Sequence, residues 1–335
     1  MNRSAFVADK VVRGSFFHVA PKEMATFVRR DFETLRGKHR MRKWFFRGSL
    51  HGLLDRLVIL ADVLSSDFNV SWFGYHQAYW AVRYSRKFGR KSMVILGGFD
   101  VCEEEDPNFA SRVPEVRYIL RNADRILAVS NRLRDKALEI EPDAEIELVY
   151  HGFDPNIYRP SGPKKRVVTT VAYINRANLK RKGLETFVKS AESLPEYEFL
   201  VVGEWLDETI DHLRSIAASN VSFSGRLPET ELIRTYQDTA VYVQASTHEG
   251  FGCSLAEAML CECVPVVSDR GAIPEVVGKD GIYIDPESVA AVADGIKTAM
   301  ENRSLGARAR RRVMELFPLE KREAALIRAV DGLFA

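Results

Sequence analysis

Short apolar runs alternate with amphipathic stretches of helical length along this chain, and the alternation breaks once and then restarts. Residues 15–19, 70–73, 92–96, 125–129 and 146–150 read as buried strands. Between several of them, 22–35, 77–88 and 131–140 carry apolar residues at helical spacing. Three prolines and a glycine follow within 154–165, from Asp154-Pro155 through Arg159-Pro160 to Ser161-Gly162-Pro163, which marks a connection between domains. The pattern then resumes, with strands at 167–173, 198–202, 221–223, 240–244 and 264–268. Helices fall at 184–193, 209–218, 229–238, 254–260, 273–277 and 288–303. Strand–helix alternation implies a parallel sheet covered on both faces. The expected fold class is therefore α/β, with two doubly wound Rossmann-like domains. Ligands of such sheets bind at the carboxyl ends of strands near a switch in strand order, so a pair of facing domains is expected to hold its site in the interdomain cleft.

Composition narrows the class. The 335 residues are 46% hydrophobic and 28% charged, a globular profile. A net charge of +2 gives no argument for nucleic acid. No apolar run reaches the length of a membrane span, and residues 1–4 lack the apolar stretch of a signal peptide, so the expected location is cytoplasmic. Cys102, Cys253, Cys261 and Cys263 are too few and too clustered for a disulfide framework. The one-residue gap between Cys261 and Cys263 suits zinc poorly, and all four read as buried or half-buried thiols.

Charge is uneven: residues 1–56 hold 13 Lys and Arg against 5 Asp and Glu. Arg36, Lys38, Arg40, Arg42, Lys43 and Arg47 interleave with Met41, Trp44, Phe45 and Phe46. One reading seats 36–47 on anionic headgroups as a peripheral contact with the inner face of a membrane. The other makes 44–46 a strand beside a solvated basic face.

The segment from Ser246 to Ala258 carries the chemistry. A strand ends at Gln244, a turn containing Gly250 and Gly252 follows, and a helix begins near Ser254. Glycines let the backbone approach a ligand closely, and free N–H groups at a helix N-terminus favour phosphate. Glu257, a turn into the helix, is placed to accept from a vicinal diol such as a ribose. Glu249 lies in the turn itself. Two glutamates eight residues apart also fit a plain helix surface, but Glu249 precedes the helix and sits among small and apolar residues.

Glu249-Gly250-Phe251-Gly252-Cys253-Ser254-Leu255-Ala256-Glu257-Ala258-Met259, continued by Val264-Pro265-Val266-Val267 and Gly271-Ala272-Ile273-Pro274-Glu275, resembles the signature of retaining GT-B glycosyltransferases of the family-4 group (glycosyl transferases group 1). The resemblance covers residues 146–290 and, more loosely, the whole chain. It implies a hexosyltransferase-type enzyme that moves a sugar from a nucleoside diphosphate sugar, a UDP- or GDP-sugar, to an acceptor hydroxyl. The acceptor would be a lipid-linked sugar or a growing glycan. It implies no metal or other cofactor, and no Asp-x-Asp element is placed to bind a metal. By resemblance Glu257 holds the ribose, Glu249 contacts the donor sugar, and the backbone from Gly250 to Ser254, with Leu255 behind it, lines the diphosphate. Arg176 and Lys182, six residues apart after the strand at 167–173, match the family's diphosphate-neutralising pair; the plainer reading of 175–183 is a solvated basic loop. Gly203 and Arg226 fall at turns where the family holds donor parts.

The resemblance also implies an acceptor-side domain over 1–155, a donor-binding domain over 156–310 and a terminal helix, 311–335, that crosses back to the first domain. The first half is less typical. No glycine follows its first strand, and the strand at 93–96 ends in Gly97-Gly98-Phe99-Asp100 where many relatives carry a histidine. Gly97, Gly98 and Asp100 are candidate sugar contacts or a tight turn, and His18 and His76 are alternative polar groups at strand ends. Two other readings stand beside the transferase: a non-catalytic nucleotide-sugar-binding subunit, and a nucleotide-sugar epimerase of the same fold.

Overall fold

The structure is a computed structural model, and it describes residues 11–19, 24–46, 53–98, 100–102 and 109–335. Residues 1–4, the start of the helix at 22–35, Arg47 and Phe99 lie outside the described residues. The chain divides into two compact units, Met1–His151 with Glu320–Ala335, and Gly152–Leu319.

The first unit alternates β1 (Arg13–Val19), α1 (Thr26–Lys38), β2 (Arg40–Phe46), α2 (Leu53–Ser65), β3 (Phe68–Trp72), α3 (His76–Phe88), β4 (Lys91–Leu96), α4 (Phe109–Asn122), β5 (Arg125–Ala128), α5 (Asn131–Ile140) and β6 (Ile146–Leu148). Its six strands are all parallel, in the order β2-β1-β3-β4-β5-β6. Order reverses between β1 and β3, so the carboxyl ends of those strands mark this unit's switch point. Every residue of β3 is buried, as expected of a strand covered on both faces.

The second unit runs β7 (Val167–Val171), α6 (Arg176–Arg181), α7 (Leu184–Ser190), β8 (Glu198–Val202), α8 (Thr209–Ser215), β9 (Val221–Gly225), α9 (Glu229–Asp238), β10 (Val241–Gln244), α10 (Cys253–Leu260), β11 (Val264–Val267), α11 (Ile273–Val277), β12 (Ile282–Tyr283), α12 (Val289–Glu301) and α13 (Ser304–Leu316). Strand order is β12-β11-β10-β7-β8-β9, again parallel. Counted along the chain this is the 3-2-1-4-5-6 order of a dinucleotide-binding sheet, with its switch point between β7 and β10. Val168, Phe199, Val201, Val241, Val243 and Val266 of the strands pack with Leu184, Phe187 and Val188 of α7 and Val292 and Ile296 of α12. The last helix, α14 (Leu319–Asp331), belongs to the first unit from Glu320 onward.

Three differences from the sequence reading have local causes. Residues 176–181, within the stretch 175–183 for which a solvated basic loop is the plainer alternative, form α6 because the Asn175 side chain accepts the Asn178 N–H at 2.8 Å and caps the turn. Two helices, α2 and α4, were not delimited by periodicity: α2 is apolar on both its inner and outer sides, and α4 contains Pro114. β12 is only two residues long, too short for any alternation to register.

Candidate active site

The donor-side residues singled out above follow the carboxyl ends of the second sheet's strands: those after β7 and β10 lie at its switch point, with Gly203 after β8 and Arg226 after the edge strand β9. Glu249 follows β10, and its carboxylate is 9% exposed. Its Oε1 accepts from Lys182 Nζ, from Gln244 Nε2 at 2.6 Å and from Ser246 Oγ at 2.8 Å. Burial pushes the carboxyl up. The Lys182 and Arg181 charges, with hydrogen bonds from Lys182 and Ser246, more than offset this and hold its pKa below the usual carboxylate value.

Backbone ties bring Lys182 to Glu249 although 67 residues separate them. The Thr247 N–H donates to the Arg181 carbonyl at 2.8 Å. Gly183 has φ +63°, and a Cβ there would lie 2.3 Å from the Ala245 carbonyl oxygen, so only glycine allows this approach. From the other side the Ala272 N–H donates to the Glu249 carbonyl at 2.9 Å. A Cβ on Gly271 would meet the Glu249 backbone at 2.5 Å.

A polar chain continues inward. Tyr242 Oη donates to Gln244 Oε1 at 3.2 Å and lies 2.9 Å from Ser254 Oγ, so the first turn of α10 and Glu249 share one buried network. Buried networks of this kind fix geometry when every member is satisfied. Glu257, inside α10 and 8% exposed, accepts from Tyr158 Oη at 3.1 Å and Tyr236 Oη at 3.3 Å, one phenol to each carboxylate oxygen. Burial and the neighbouring Glu257 charge push the Tyr236 phenol well up, so it stays protonated and donating.

The remaining donor-side candidates divide by exposure. Gly250 and Leu255 are buried, Gly252 precedes α10, and Cys253 opens the helix half-buried. Phe251 stacks on Phe153 at 5.9 Å and meets Phe317 edge-on at 5.2 Å, so its ring anchors the turn in the core. Arg176 is exposed at the start of α6, with its backbone N–H on Asp207 at 3.0 Å. Gly203 follows β8, and Arg226 is exposed beyond β9.

In the first unit, Asp100 is fully buried. Its carboxylate accepts backbone N–H groups of Gly74 at 2.9 Å, Gly98 at 2.8 Å and Gly97 at 3.1 Å. Burial raises its pKa against the pull of these bonds. The side chain thus ties the turn after β4 to the turn after β3. His18, 2% exposed near the end of β1, lies 5.9 Å from the Phe73 ring, and burial lowers its pKa to about 4. His76 Nε2 accepts from Trp80 Nε1 at 2.9 Å, which leaves the ring proton on Nδ1, 2.9 Å from Glu115. Ser246 opens the segment that the sequence singles out, but its bond to Glu249, and the parts of Gln244, Tyr158 and Tyr236, show only through contacts made by the fold. Among the described residues there is no disulfide, and no group of three or more His, Cys, Asp or Glu is arranged to hold a metal ion.

Residues 156–315 match the family model for glycosyl transferases group 1. The chain is similar to O-antigen chain mannosyltransferase B of Escherichia coli, 29% identical over 133 residues, which is 37% of this chain and 35% of that protein. It is also similar to the GDP-mannose:cellobiosyl-diphosphopolyprenol alpha-mannosyltransferase of Xanthomonas oryzae pv. oryzae (strain PXO99A), 23% identical over 183 residues, 52% of this chain and 48% of that protein. The chain thus spans less than half the length of either relative. Among solved structures, Anabaena Alr3699/HepE in complex with UDP-glucose has a TM-score of 0.82 at 17% identity, covering 96% of this chain and 100% of that one; the likeness is one of fold.

Proposed function

We propose that this chain, whose residues 156–315 match the family model for glycosyl transferases group 1 and which has the GT-B fold, is a retaining glycosyltransferase, moving a sugar from a nucleoside diphosphate sugar to an acceptor hydroxyl. The observation that carries the reading is the buried Glu249 carboxylate held by Lys182, Gln244 and Ser246 beside the N-terminus of α10.

In this reading Glu257, oriented by Tyr158 and Tyr236, accepts from the ribose hydroxyls. Glu249 accepts from hydroxyls of the donor sugar. The backbone N–H groups of 250–254 and the cations Arg176 and Lys182 take the diphosphate, with Gly203 and Arg226 toward the base. The bond from the anomeric carbon to phosphate oxygen breaks, and a bond to the acceptor oxygen forms on the same face. The acceptor's proton passes to the departing phosphate oxygen. The protein's part is to stabilise charge as it grows on that phosphate. Gly97 and Gly98, held by Asp100, and His18 and His76 serve the acceptor side. The acceptor is a lipid-linked sugar or growing glycan, in keeping with the relative named for a diphosphopolyprenol acceptor.

Two measurements check the donor half. A thermal-shift panel is expected to single out one nucleotide sugar, with GDP-mannose and UDP-glucose the first to try. A ligand at 100 times its Kd adds about 2.7 kcal/mol to the folded state; no shift with any nucleotide sugar contradicts the reading. Tyr158→Phe and Tyr236→Phe each remove a donor to the Glu257 carboxylate and are expected to raise KM for the donor about 10-fold with kcat unchanged, since a hydrogen bond to a charged group is worth about 1.5–3 kcal/mol. An unchanged KM in both variants argues against Glu257 as the ribose ligand.

A further inference from the structure

The first unit carries an apolar surface that the donor chemistry does not use. On α2, Leu53 is 71% exposed, Leu54 77%, Leu57 50% and Leu64 43%. Ala61 is also exposed, so the outward face of the helix is apolar from Leu53 to Leu64 and ends in Ser65, whose hydroxyl is taken by Arg42. The opposite face is conventional core: Ile59 and Val63 are buried with Phe17 and Ala81. An amphipathic surface helix puts polar residues outward, and here the outward face is leucine. A contiguous exposed patch of this kind marks an interaction site.

Cations border the patch. Arg42, on the edge strand β2, pairs with Asp62 at 2.8 Å and reaches Ser65 Oγ at 2.5 Å, which fixes β2 beside α2. Trp44, two residues on and therefore on the same face of the sheet, is 40% exposed. On the other flank Arg56 lies 4.5 Å over the Trp80 ring, and Arg83 of α3 lies 5.6 Å from the same ring. At the C-terminal end Arg90 donates to the Leu64 carbonyl at 3.1 Å. The nearby acids are Asp62, buried against Arg42, Asp55, half-buried on α2, and Asp67, which pairs with Arg13 and lies within the field of Arg90.

We propose that the leucine face of α2, with its border of Arg42, Arg56, Arg83 and Arg90 and with Trp44, seats on the surface of an anionic lipid bilayer. Leucines would enter the boundary between headgroups and acyl chains while guanidinium groups meet anionic headgroups. A second copy of the chain fits less well, because a two-fold contact through this face would set one arginine border against another. The structure also moves the centre of the basic, aromatic stretch at 36–47. Arg36 pairs with Glu33, Lys38 pairs with Asp331, and Lys43 lies over Phe32; Arg42 is the member that joins α2, with Trp44 exposed on the same face of β2.

The proposal is independent of the donor reading and is tested without turnover. The full chain is floated with vesicles of phosphatidylcholine alone and with phosphatidylglycerol added, at low and high salt. Recovery is expected with the anionic vesicles only, and to fall as salt rises. Leu54→Ser/Leu57→Ser is expected to lower vesicle affinity at least 10-fold, and Arg83→Ser to weaken the anionic preference. Both variants should leave the melting temperature and its shift by nucleotide sugar unchanged. Equal recovery with both vesicle types, no recovery with either, or an unaffected Leu54→Ser/Leu57→Ser variant overturns the proposal. So does a dimer in sedimentation velocity that this variant dissociates without any vesicle binding. Loss of vesicle binding with the nucleotide-sugar shift intact separates this surface from the donor site.

Discussion

Lys182→Met is expected to lower turnover of the sugar donor by about 10²- to 10³-fold, the usual effect of removing one group that stabilises developing charge. The effect has two sources. In the proposed reaction Lys182 neutralises the departing diphosphate. In the structure it also neutralises Glu249, whose carboxylate is 9% exposed and whose other partners are the neutral donors Gln244 and Ser246, with the Arg181 charge acting without a hydrogen bond to it. Removing one partner of a buried ion pair costs about 3–5 kcal/mol, because the other charge stays buried. The pH dependence follows from the sign of the Glu249 shift. In the wild type its pKa is depressed, so its contribution is present above the unfolded carboxylate pKa and is lost as pH falls through the lower folded value. In Lys182→Met, burial acts with less opposition and raises the folded pKa. That variant should lose stability as pH rises from about 4 toward neutrality, whereas the wild type should not. Lys182→Met/Glu249→Gln should recover much of the stability and none of the turnover. Thermal melts across pH, paired with donor turnover, check both halves. Equal pH dependence in wild type and Lys182→Met contradicts the pairing.

Asp31→Ala or Arg322→Leu should destabilise the first unit by about 3–5 kcal/mol. Arg322, on α14, is buried and donates to Asp31 of α1 through Nε at 3.1 Å and through its terminal nitrogen at 2.6 Å. Its other terminal nitrogen reaches the carbonyls of Val149 at 2.5 Å and Tyr150 at 3.4 Å. Trp72 Nε1 donates to the same Asp31 carboxylate at 2.9 Å and lies parallel to the His151 ring at 5.8 Å. One guanidinium therefore fastens the last helix to α1 and to the chain beyond β6. His151 stays neutral there, because burial and the charges of Arg322 and Arg30 lower its pKa well below the ordinary histidine value. For a unit of this size the loss is a fall in melting temperature of roughly 6–20 °C. Asp31→Leu/Arg322→Met, which removes both charges, should recover most of it. A single variant that melts with the wild type contradicts this account of how α14 is held.

Much of the fold was legible because it is periodic. β8, α5, α9 and α11 have the bounds their apolar spacing suggests, since each is a regular element packed on one face. α2 was not, because leucines on its outer face leave no polar side to mark the helix. The layout of the proposed donor segment was legible because a strand end, a glycine turn and a helix start lie within a dozen residues. Its supports were not. Tyr158 stands 99 residues from Glu257 and Lys182 stands 67 from Glu249, and no local pattern encodes such contacts. Asp100 shows the same limit: its spacing after Gly97 and Gly98 fits either a sugar contact or a tight turn, and only the fold shows its carboxylate taking backbone N–H groups of two turns.

The fate of the donor's anomeric carbon tests the central claim most directly. The purified chain is incubated with the nucleotide sugar that raises its melting temperature, and the anomeric protons are followed by NMR. Slow transfer to water or acceptor is expected, with the first product keeping the donor's anomeric configuration, and Lys182→Met should abolish it. A donor that binds tightly and is never cleaved, a product of inverted configuration, or a donor that is isomerised without transfer would each contradict the account.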